Sequence, residues 1–465
     1  MIYFGLSTTV LLGICVALSI SQRLKLPEVV GLAFPVGIGL QTFLMILLDV
    51  LNIRITATSV LTGSWLAIAA AATFFYLRRD LLRGWWRYAG RLTRPKISWL
   101  WLLSLLATGV VLVMIFDKTM FFPTFDTDSV RGFNLVGKVV AHEGTLKNCS
   151  LFTDPNHWEM HGPGSYMTYT PLLQLAYAYV YMLGAATSKI VSALLYVSLA
   201  VAFYGVTSRF ATHTLTALAT FFTVFTPEML AFSAMSGTNV PHAVYASLGI
   251  LFFVAWYYKK IPSLLWVSAA LLICNSWTRS EGVAFAGAAC CVMLWYSIRT
   301  KTYRKPFLFA ALCLFPTVFW QLFLKLYNME GVVTFVRSWD SHRVAVEVTE
   351  IWQLFKSFTY YGFTFLCFLI ALLSNVWAMV KKRDHLATLA LIFLACLFYS
   401  VLIYLVDYTW DSLEAVLRSS YKRFLFSFVP LLWFYTAAGY NMRWLFGKVD
   451  DFLYPLDRKN TKKKR

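Results

Sequence analysis

The sequence has few charged residues for its length. Asp, Glu, Lys and Arg make up 14% of its 465 residues, whereas about a quarter is usual in soluble domains. Hydrophobic residues make up 59%. A soluble fold of this size leaves roughly a quarter of its unfolded surface exposed and could not hide so much apolar surface. The composition excludes a soluble globular protein and predicts an integral membrane protein.

Short segments of alternating polar and apolar residues, which are typical of β-barrel strands, are also lacking. The apolar runs are continuous, and most approach the roughly 20 residues that a helix needs to cross a bilayer. Backbone polar groups in lipid must be satisfied within such helices. The sequence therefore predicts an all-α polytopic bundle with about 13 transmembrane helices, near 2–20, 28–50, 57–77, 98–117, 187–207, 210–226, 240–258, 262–276, 283–298, 306–326, 356–379, 385–406 and 423–441.

Cysteine pairs, repeats and soluble segments are lacking too. Of eight cysteines, only Cys149 lies clearly in a predicted outer loop, so neither a disulfide framework nor a cysteine metal site is indicated. The first apolar run begins almost at Met1 with no basic segment before it. We expect a retained span there rather than a cleaved signal.

Lysine and arginine are concentrated in short loops, which marks the cytoplasmic face of a membrane protein. The richest loop is 78–96, and four further clusters lie at 259–260, 299–305, 381–383 and 462–465. All five fall on one side only if the apolar segment 171–184 dips into the membrane without crossing it. We therefore predict a re-entrant helix there, an outer N-terminus and a cytoplasmic C-terminus. The formal net charge of +19 is expected to face anionic lipid headgroups and needs no nucleic acid.

We expect three parts, namely N-terminal helices additional to the core (1–97), a core of membrane helices (98–441) and a basic cytoplasmic tail (442–465). Function is left to three outer loops, at 118–186, 327–355 and 407–422. The first is the longest and is expected to contain short interfacial helices, because long loops without structure are usually functional or disordered and this one has no low-complexity run.

The first outer loop begins with two carboxylates, Asp126 and Asp128. A carboxylate at the edge of the membrane can accept a proton from a substrate hydroxyl, and partial burial raises its basicity. The alternative is that Asp128 caps the helix predicted to follow it. Further along the loop, His157, Glu159 and His161 could hold a divalent metal if the chain is extended there. A histidine-bearing surface loop without metal is the alternative, so metal use stays open.

Polar residues also lie at the outer ends of later spans. Asn239 and His242 come at the start of one, and Arg279 and Glu281 lie between two others. Charges at this depth are rare unless they pair or serve a substrate. The latter two could bind a substrate or form an interfacial ion pair.

The last outer loop carries Arg418, Lys422 and Arg423 on the side where basic residues are otherwise scarce. Such a cluster suits an anionic ligand, and arginine in particular binds phosphate through two parallel hydrogen bonds. Snorkelling of long side chains to the interface is the alternative.

These segments, in this order, resemble the GT-C superfamily of polyprenyl-phosphate-dependent glycosyltransferases, which includes protein O-mannosyltransferases and aminoarabinose transferases. The similarity lies in FDTDSVRGFNLVGKVVAHEGTL, YTPLLQLAYAY, SGTNVPHAVYASLG, TRSEGVAFAG and SSYKRFLFSFVPLLWF, and it covers about residues 98–440. Thr170 stands where the family has a first proline and Asn239 where an acid is more usual. These departures leave the substrate class and metal use open.

The resemblance implies an inverting transferase that uses a polyprenyl-phosphate-linked sugar and a glycan, lipid or protein acceptor. It implies that the loop aspartate is the general base, and Asp128 fits that motif better than Asp126. We expect Arg423, with Lys422 and Arg279, to bind the donor phosphate. The expected substrate contacts are Glu281, His242, Asn239, Tyr169 and His161.

Two other functions stay open. A lipid-linked glycan polymerase or ligase also takes lipid-linked sugars but usually has its large loop later in the chain. A transporter or flippase tends toward repeats and charges at the membrane midplane. The N-terminal helices favour a bacterial inner membrane with the site facing the periplasm. In a eukaryote, the terminal basic residues and Asn148-Cys149-Ser150 would suit the endoplasmic reticulum.

Overall fold

The computed structural model describes residues 1–90, 98–153, 166, 169–329, 336, 338–406 and 412–453. Within these ranges every regular element is helical. The helices of the first half are Ile2–Ile20 (α1), Leu26–Val50 (α2), Ala57–Leu77 (α3), Arg79–Gly90 (α4), Trp99–Phe121 (α5), Asn134–Glu143 (α6), Ser150–Thr153 (α7), Leu172–Met182 (α8), Lys189–Thr207 (α9), His213–Val224 (α10) and Pro227–Phe232 (α11).

The second half continues the bundle. Its helices are Asn239–Lys259 (α12), Pro262–Thr278 (α13), Val283–Thr300 (α14), Arg304–Leu326 (α15), Ser341–Phe355 (α16), Phe358–Tyr361 (α17), Thr364–Lys382 (α18), Leu386–Leu405 (α19), Leu413–Leu425 (α20), Val429–Ala438 (α21) and Tyr440–Leu453 (α22). A π-helical turn, Asp128–Phe133, leads into α6. Tighter 3₁₀ turns at Ser280–Gly282 and Phe426–Phe428 precede α14 and α21.

Among the described residues, ten helices are long and apolar enough to cross a membrane: α1, α2, α3, α5, α9, α12, α14, α15, α18 and α19. The polytopic helical bundle is therefore confirmed. Three further predicted spans correspond to shorter pieces, namely α10, α13 and the end of α20 with α21. The total of about 13 crossings stays a prediction.

The basic loops gather at one end of the bundle. Arg209, before α10, donates to Tyr88 of α4 at 3.4 Å. Lys259, at the end of α12, lies 4.5 Å from the ring of Phe210. The same ring packs on His385, which follows α18. The clusters after α3, α12 and α18 thus share one end, which we call the basic end. Which side of a membrane it faces stays a prediction, and the tail cluster lies outside the described residues.

The segment that was predicted to be re-entrant forms α8. This helix has 11 residues, which corresponds to a length of about 16 Å, against roughly 30 Å for the hydrocarbon core of a bilayer. Residues 172–180 are all buried. Helix α8 packs against α6 and α2 inside the bundle. Its length shows that it is too short to cross a bilayer on its own.

The first outer loop is tied to the bundle by Asp49 at the end of α2. Its carboxylate accepts hydrogen bonds from the hydroxyl of Thr145 at 2.7 Å and from the backbone amides of Leu146 and Lys147 at 3.1 and 2.8 Å. Gly144, with φ of +74°, ends α6 just before this anchor. Only glycine adopts that backbone conformation without strain. The turn therefore returns the loop to α2 at a fixed position.

The three N-terminal spans belong to the same bundle. Gln41 of α2 donates to the hydroxyl of Tyr179 in α8 at 3.4 Å. Thr42 accepts a hydrogen bond from the indole of Trp277 in α13 at 3.2 Å. Buried polar groups are stable only when they are paired in this way. The division at residue 97 between additional helices and core stays a prediction.

One predicted boundary is wrong. The span expected to begin at 356 begins at Thr364, because Gly362, with φ of +54°, separates the short helix α17 from α18. The outer loops expected at 327–355 and 407–422 contain α16 and most of α20. These two helices pack against each other and position the charged residues described next.

Candidate functional site

The two residues that the sequence places first in catalysis lie in direct contact. Arg423 Nη1 donates to Asp128 Oδ2 at 2.5 Å, although the residues are 295 positions apart in the chain. Both side chains are about one-third exposed, at 32% and 33%. Arg423 is also held from its own helix, where Nη2 donates to the hydroxyl of Ser419 at 2.9 Å. A carboxylate and a guanidinium are thus in contact at a place that is partly accessible from outside the protein.

The helix cap near these residues is Asp126 and not Asp128. The backbone amide of Ser129 donates to Asp126 Oδ1 at 3.0 Å, and the Ser129 hydroxyl also donates to this carboxylate. This is the usual way in which an acidic side chain satisfies the free amides of a first helical turn. The capping alternative for Asp128 is therefore wrong. Asp128 is the first residue of the π-helical turn, and its carboxylate is directed to other side chains.

Tyr166 completes the contacts of Asp128. Its hydroxyl donates to Asp128 Oδ1 at 3.1 Å, on the oxygen that Arg423 leaves free. Burial and the neighbouring carboxylate raise the pKa of Tyr166 above its usual value, so this hydroxyl stays protonated and remains a donor. Gly132 lies under the Tyr166 ring, and a Cβ on Gly132 would come within 2.4 Å of it.

Gly132→Ala is therefore expected to displace Tyr166 from Asp128. The turn at Gly132 is already non-helical, and a methyl group at that distance forces the ring to move. We expect any activity that depends on Asp128 to fall by about tenfold, the effect of one misplaced hydrogen bond. Activity per folded molecule is the measurement. Gly109→Ala in α5, where an added Cβ meets nothing within 4 Å, should leave it unchanged, and equal losses would contradict the prediction.

A second ion pair lies beside the first. Arg279 Nη2 donates to Glu281 at 2.8 Å, and Arg279 Nη1 donates to the side-chain oxygen of Asn239 at 3.0 Å. The guanidinium also lies 5.7 Å from the centre of the Tyr169 ring. The hydroxyl of Tyr169 is within electrostatic range of both ion pairs. Four of the predicted site residues are therefore brought together next to Asp128 and Arg423.

His242 and His161 stand differently. His242 is buried between the rings of Phe285 and Tyr399, and Tyr399 stacks on Phe424 at 3.9 Å. His242 therefore packs against the aromatic residues that hold the end of α20, and it is not exposed to a substrate. His161 lies outside the described residues, as do the other members of the candidate metal cluster. Among the residues that the structure describes, no three His, Cys, Asp or Glu side chains form a metal-type group.

The remaining cations of α20 are paired with glutamates. Lys422 Nζ lies 3.1 Å from Glu228 in α11, and burial raises the pKa of Glu228 against the opposing effect of Lys422. Arg418 binds Glu350 of α16 through two hydrogen bonds of 2.9 and 3.0 Å. Arg418, Lys422 and Arg423, which the sequence marks as a basic cluster, thus each have a carboxylate partner. The sequence did not identify these partners.

A further carboxylate faces α20 from α16. Glu347 is only 6% exposed, and burial raises its pKa to about 7, with Tyr421 of α20 and Arg343 of α16 acting in the opposite direction. Its folded-state pKa lies above the ordinary value of 4.5. The protonated Glu347 side chain therefore contributes to the stability of the fold. This contribution is fully present below pH 4.5 and is lost as the pH rises through about 7.

Glu347→Gln is expected to remove this pH dependence. The amide has the shape of the protonated acid but cannot ionise, so the variant should melt at a higher temperature than the parent at about pH 8 and at nearly the same temperature at about pH 5. Thermal unfolding in detergent at both pH values provides the measurement. Glu414→Gln, which changes an exposed carboxylate on α20, serves as the control. A parallel pH response in parent and Glu347→Gln would contradict the assignment.

Taken together, these contacts provide a carboxylate, a tyrosine that orients it, and an arginine at one partly open position, with a second arginine nearby. Such a group can take a proton from a hydroxyl and bind an anion. Tyr166, Ser419 and Glu228 were not found from the sequence, since no spacing relates them to their partners.

No protein-family profile, curated protein or solved structure matches this chain.

Proposed function

We propose that this chain is a membrane glycosyltransferase that moves a sugar from a polyprenyl-phosphate donor to a hydroxyl of a glycan, lipid or protein acceptor. The observation that carries the proposal is the contact between Asp128 and Arg423. It joins a carboxylate, which can act as a general base, and a guanidinium, which can bind phosphate, from distant segments of the chain. The resemblance of the surrounding motifs to the GT-C superfamily supports the same reaction.

In the proposed reaction, Asp128 removes the proton of the acceptor hydroxyl. The oxygen attacks the anomeric carbon, the bond from that carbon to the phosphate oxygen breaks, and polyprenyl phosphate leaves with the electron pair. A single displacement inverts the anomeric configuration. The donor carries one negative charge on its phosphodiester and the leaving phosphate carries two. A fixed cation therefore binds the leaving group more strongly than the donor, and this difference lowers the barrier.

Arg423 is the first candidate for that cation. Its pair with Asp128 is one-third exposed, and such pairs contribute about 1 kcal/mol or less. A donor phosphate can therefore take over the guanidinium at little cost. Once Arg423 turns to the phosphate, Asp128 keeps the hydrogen bond from Tyr166 and can accept the proton of the acceptor. In this scheme donor binding prepares the base.

The position of the charges favours an enzyme over an ion-coupled transporter. In the ten long apolar helices, every charged residue lies within five residues of an end. Transporters usually place charges near the membrane midplane, where the coupling ion binds. A lipid-linked glycan polymerase or ligase remains the other enzymatic reading, and the nature of the donor separates it from a transferase.

The proposal is tested by reconstituting the purified chain with polyprenyl-phosphate sugars and candidate acceptors. Mass spectrometry should detect polyprenyl monophosphate whose release depends on the acceptor. Release of a diphosphate from a lipid-linked oligosaccharide would indicate a polymerase or ligase. Movement of intact donor between leaflets without cleavage would indicate a flippase, and either result would overturn the proposal.

A further inference from the structure

A second charged cleft lies at the basic end of the bundle, away from the candidate site. Its volume is about 340 Å³, and it is formed by the turn between α1 and α2 and by one face of α4. The polar side chains that line it are Gln22, Arg23, Asp80, Arg87 and Tyr88. Helix α5 runs from the α4 side of the bundle to the loop of Asp128. The two sites are therefore separate.

The walls of this cleft are held in place without a ligand. The indole of Trp85 in α4 donates to the carbonyl oxygen of Leu24 at 3.1 Å. Below it, the buried Arg209 pairs with Glu28 and donates to the carbonyl oxygen of Arg23 at 2.8 Å. Helix α4 and the turn are thus fixed to each other. A preformed cleft loses little entropy when a ligand binds.

The charge of the cleft is positive. Arg23 and Arg87 oppose one acid, Asp80, which lies in the first turn of α4, where a carboxylate is also favoured by the helix dipole. Burial lowers the pKa of nearby Lys25 to about 8; the carboxylate of Glu28 opposes this shift, and the positive charges of Arg209 and Lys259 add to it. Positive charge here exceeds the negative charge available to compensate it, and an anionic ligand would correct the imbalance.

The surface beside the cleft is apolar. Tyr76 and Leu77, at the end of α3, are 66% and 74% exposed, and Trp86 of α4 is 68% exposed. Tryptophan and tyrosine at such positions usually lie at the level of lipid headgroups. A small inorganic anion would not contact this surface. A lipid would contact it with its acyl chains while its phosphate enters the cleft.

We propose that this cleft binds the phosphate of an anionic phospholipid. Arg23 and Arg87 bind the phosphate oxygens, the Gln22 amide donates to the headgroup, and the acyl chains run along Tyr76 and Leu77 on α3. The proposal is independent of glycosyl transfer, since it involves none of the residues of that site.

The test uses the full chain in detergent, and native mass spectrometry measures the binding of single lipids. One phosphatidylglycerol should bind more tightly than phosphatidylcholine with the same acyl chains. A direct contact between an exposed basic side chain and a phosphate contributes about 1 kcal/mol, which corresponds to roughly fivefold in affinity. Arg87→Gln and Arg23→Gln should therefore each weaken phosphatidylglycerol binding by about fivefold. Millimolar inorganic phosphate should not displace the lipid.

The matched control is Arg83→Gln. Arg83 lies one turn before Arg87 on α4 and is exposed, and it does not line the cleft. Its removal changes the net charge equally and should alter affinity less than twofold. All three variants should melt like the parent in the absence of lipid. The proposal is overturned by equal binding of the two lipids, by an Arg83→Gln effect as large as that of Arg87→Gln, or by displacement with phosphate.

Discussion

Asp128→Asn is expected to lower the rate of glycosyl transfer by about 10²- to 10⁴-fold, the usual contribution of a general base. The amide has nearly the same shape as the carboxylate and can still accept the hydrogen bond from Tyr166. It cannot take a proton from the acceptor hydroxyl. The loss should therefore appear in the rate of the chemical step and leave the fold in place.

The same variant should bind the donor at least as tightly as the parent. Arg423 is paired with Asp128, so a donor phosphate competes with that carboxylate for the guanidinium. A neutral amide competes less. Binding of a non-transferable polyprenyl-phosphate analogue, measured beside turnover, separates this outcome from simple unfolding, which would weaken binding and turnover together.

Asp126→Asn provides the matched control. It changes the same functional group two positions earlier, but Asp126 caps the first helical turn through Ser129. Asparagine caps a helix about as well as aspartate, so this substitution should change the stability little and leave the rate per folded molecule within a few-fold. Normal turnover of Asp128→Asn, or an equal loss in Asp126→Asn, would remove Asp128 from the role of base.

The positions of the main site residues could be predicted because they are chemically unusual in this sequence. An aspartate directly after an apolar span and an arginine on the side that is otherwise poor in basic residues both required explanation. Their contact could not be derived. It depends on how α20 lies across the bundle, and no local pattern in the sequence encodes the 295-residue separation.

The capping assignment shows a different limit. Asp126 and Asp128 both precede the apolar pattern of α6, so either could start the helix. In the structure the cap is Asp126, which accepts a hydrogen bond from the amide of Ser129, and the π-helical turn Asp128–Phe133 follows. Such a turn has no simple periodicity, so the sequence left the role of Asp128 open between a helix cap and a base.

Long apolar runs made the ten long helices predictable, and α16 shows why other elements were not. Its buried residues include Arg343, Glu347, Glu350 and Leu354. Three of the four are charged, so the buried face is the charged one, opposite to the usual amphipathic pattern. Their spacing is helical, but the polarity pointed to a loop. The helix is stabilised by partners on α20 that are distant in sequence.

Arg423→Ala is expected to weaken donor binding by about 10- to 100-fold, the contribution of a charge-assisted hydrogen bond to phosphate. It should lower turnover further, because the leaving phosphate carries more charge than the donor. Arg423→Lys keeps the charge but loses the planar pair of donors, so it should recover only part of the binding. Arg418→Ala is the control, because it removes a cation from the same helix whose partner is Glu350 and not Asp128, and it should affect binding little.

Combining the two substitutions tests whether Asp128 and the donor share Arg423. If they compete for it, Arg423→Ala should weaken donor binding more in the Asp128→Asn background than in the parent, because the arginine there is already released. If Arg423 only holds Asp128 in place, the second substitution should add nothing in that background. Effects that simply add would mean that the two side chains act independently. Competition therefore predicts that Arg423→Ala costs more donor affinity in the Asp128→Asn background. In that background the arginine binds the phosphate without first breaking its ion pair with a carboxylate.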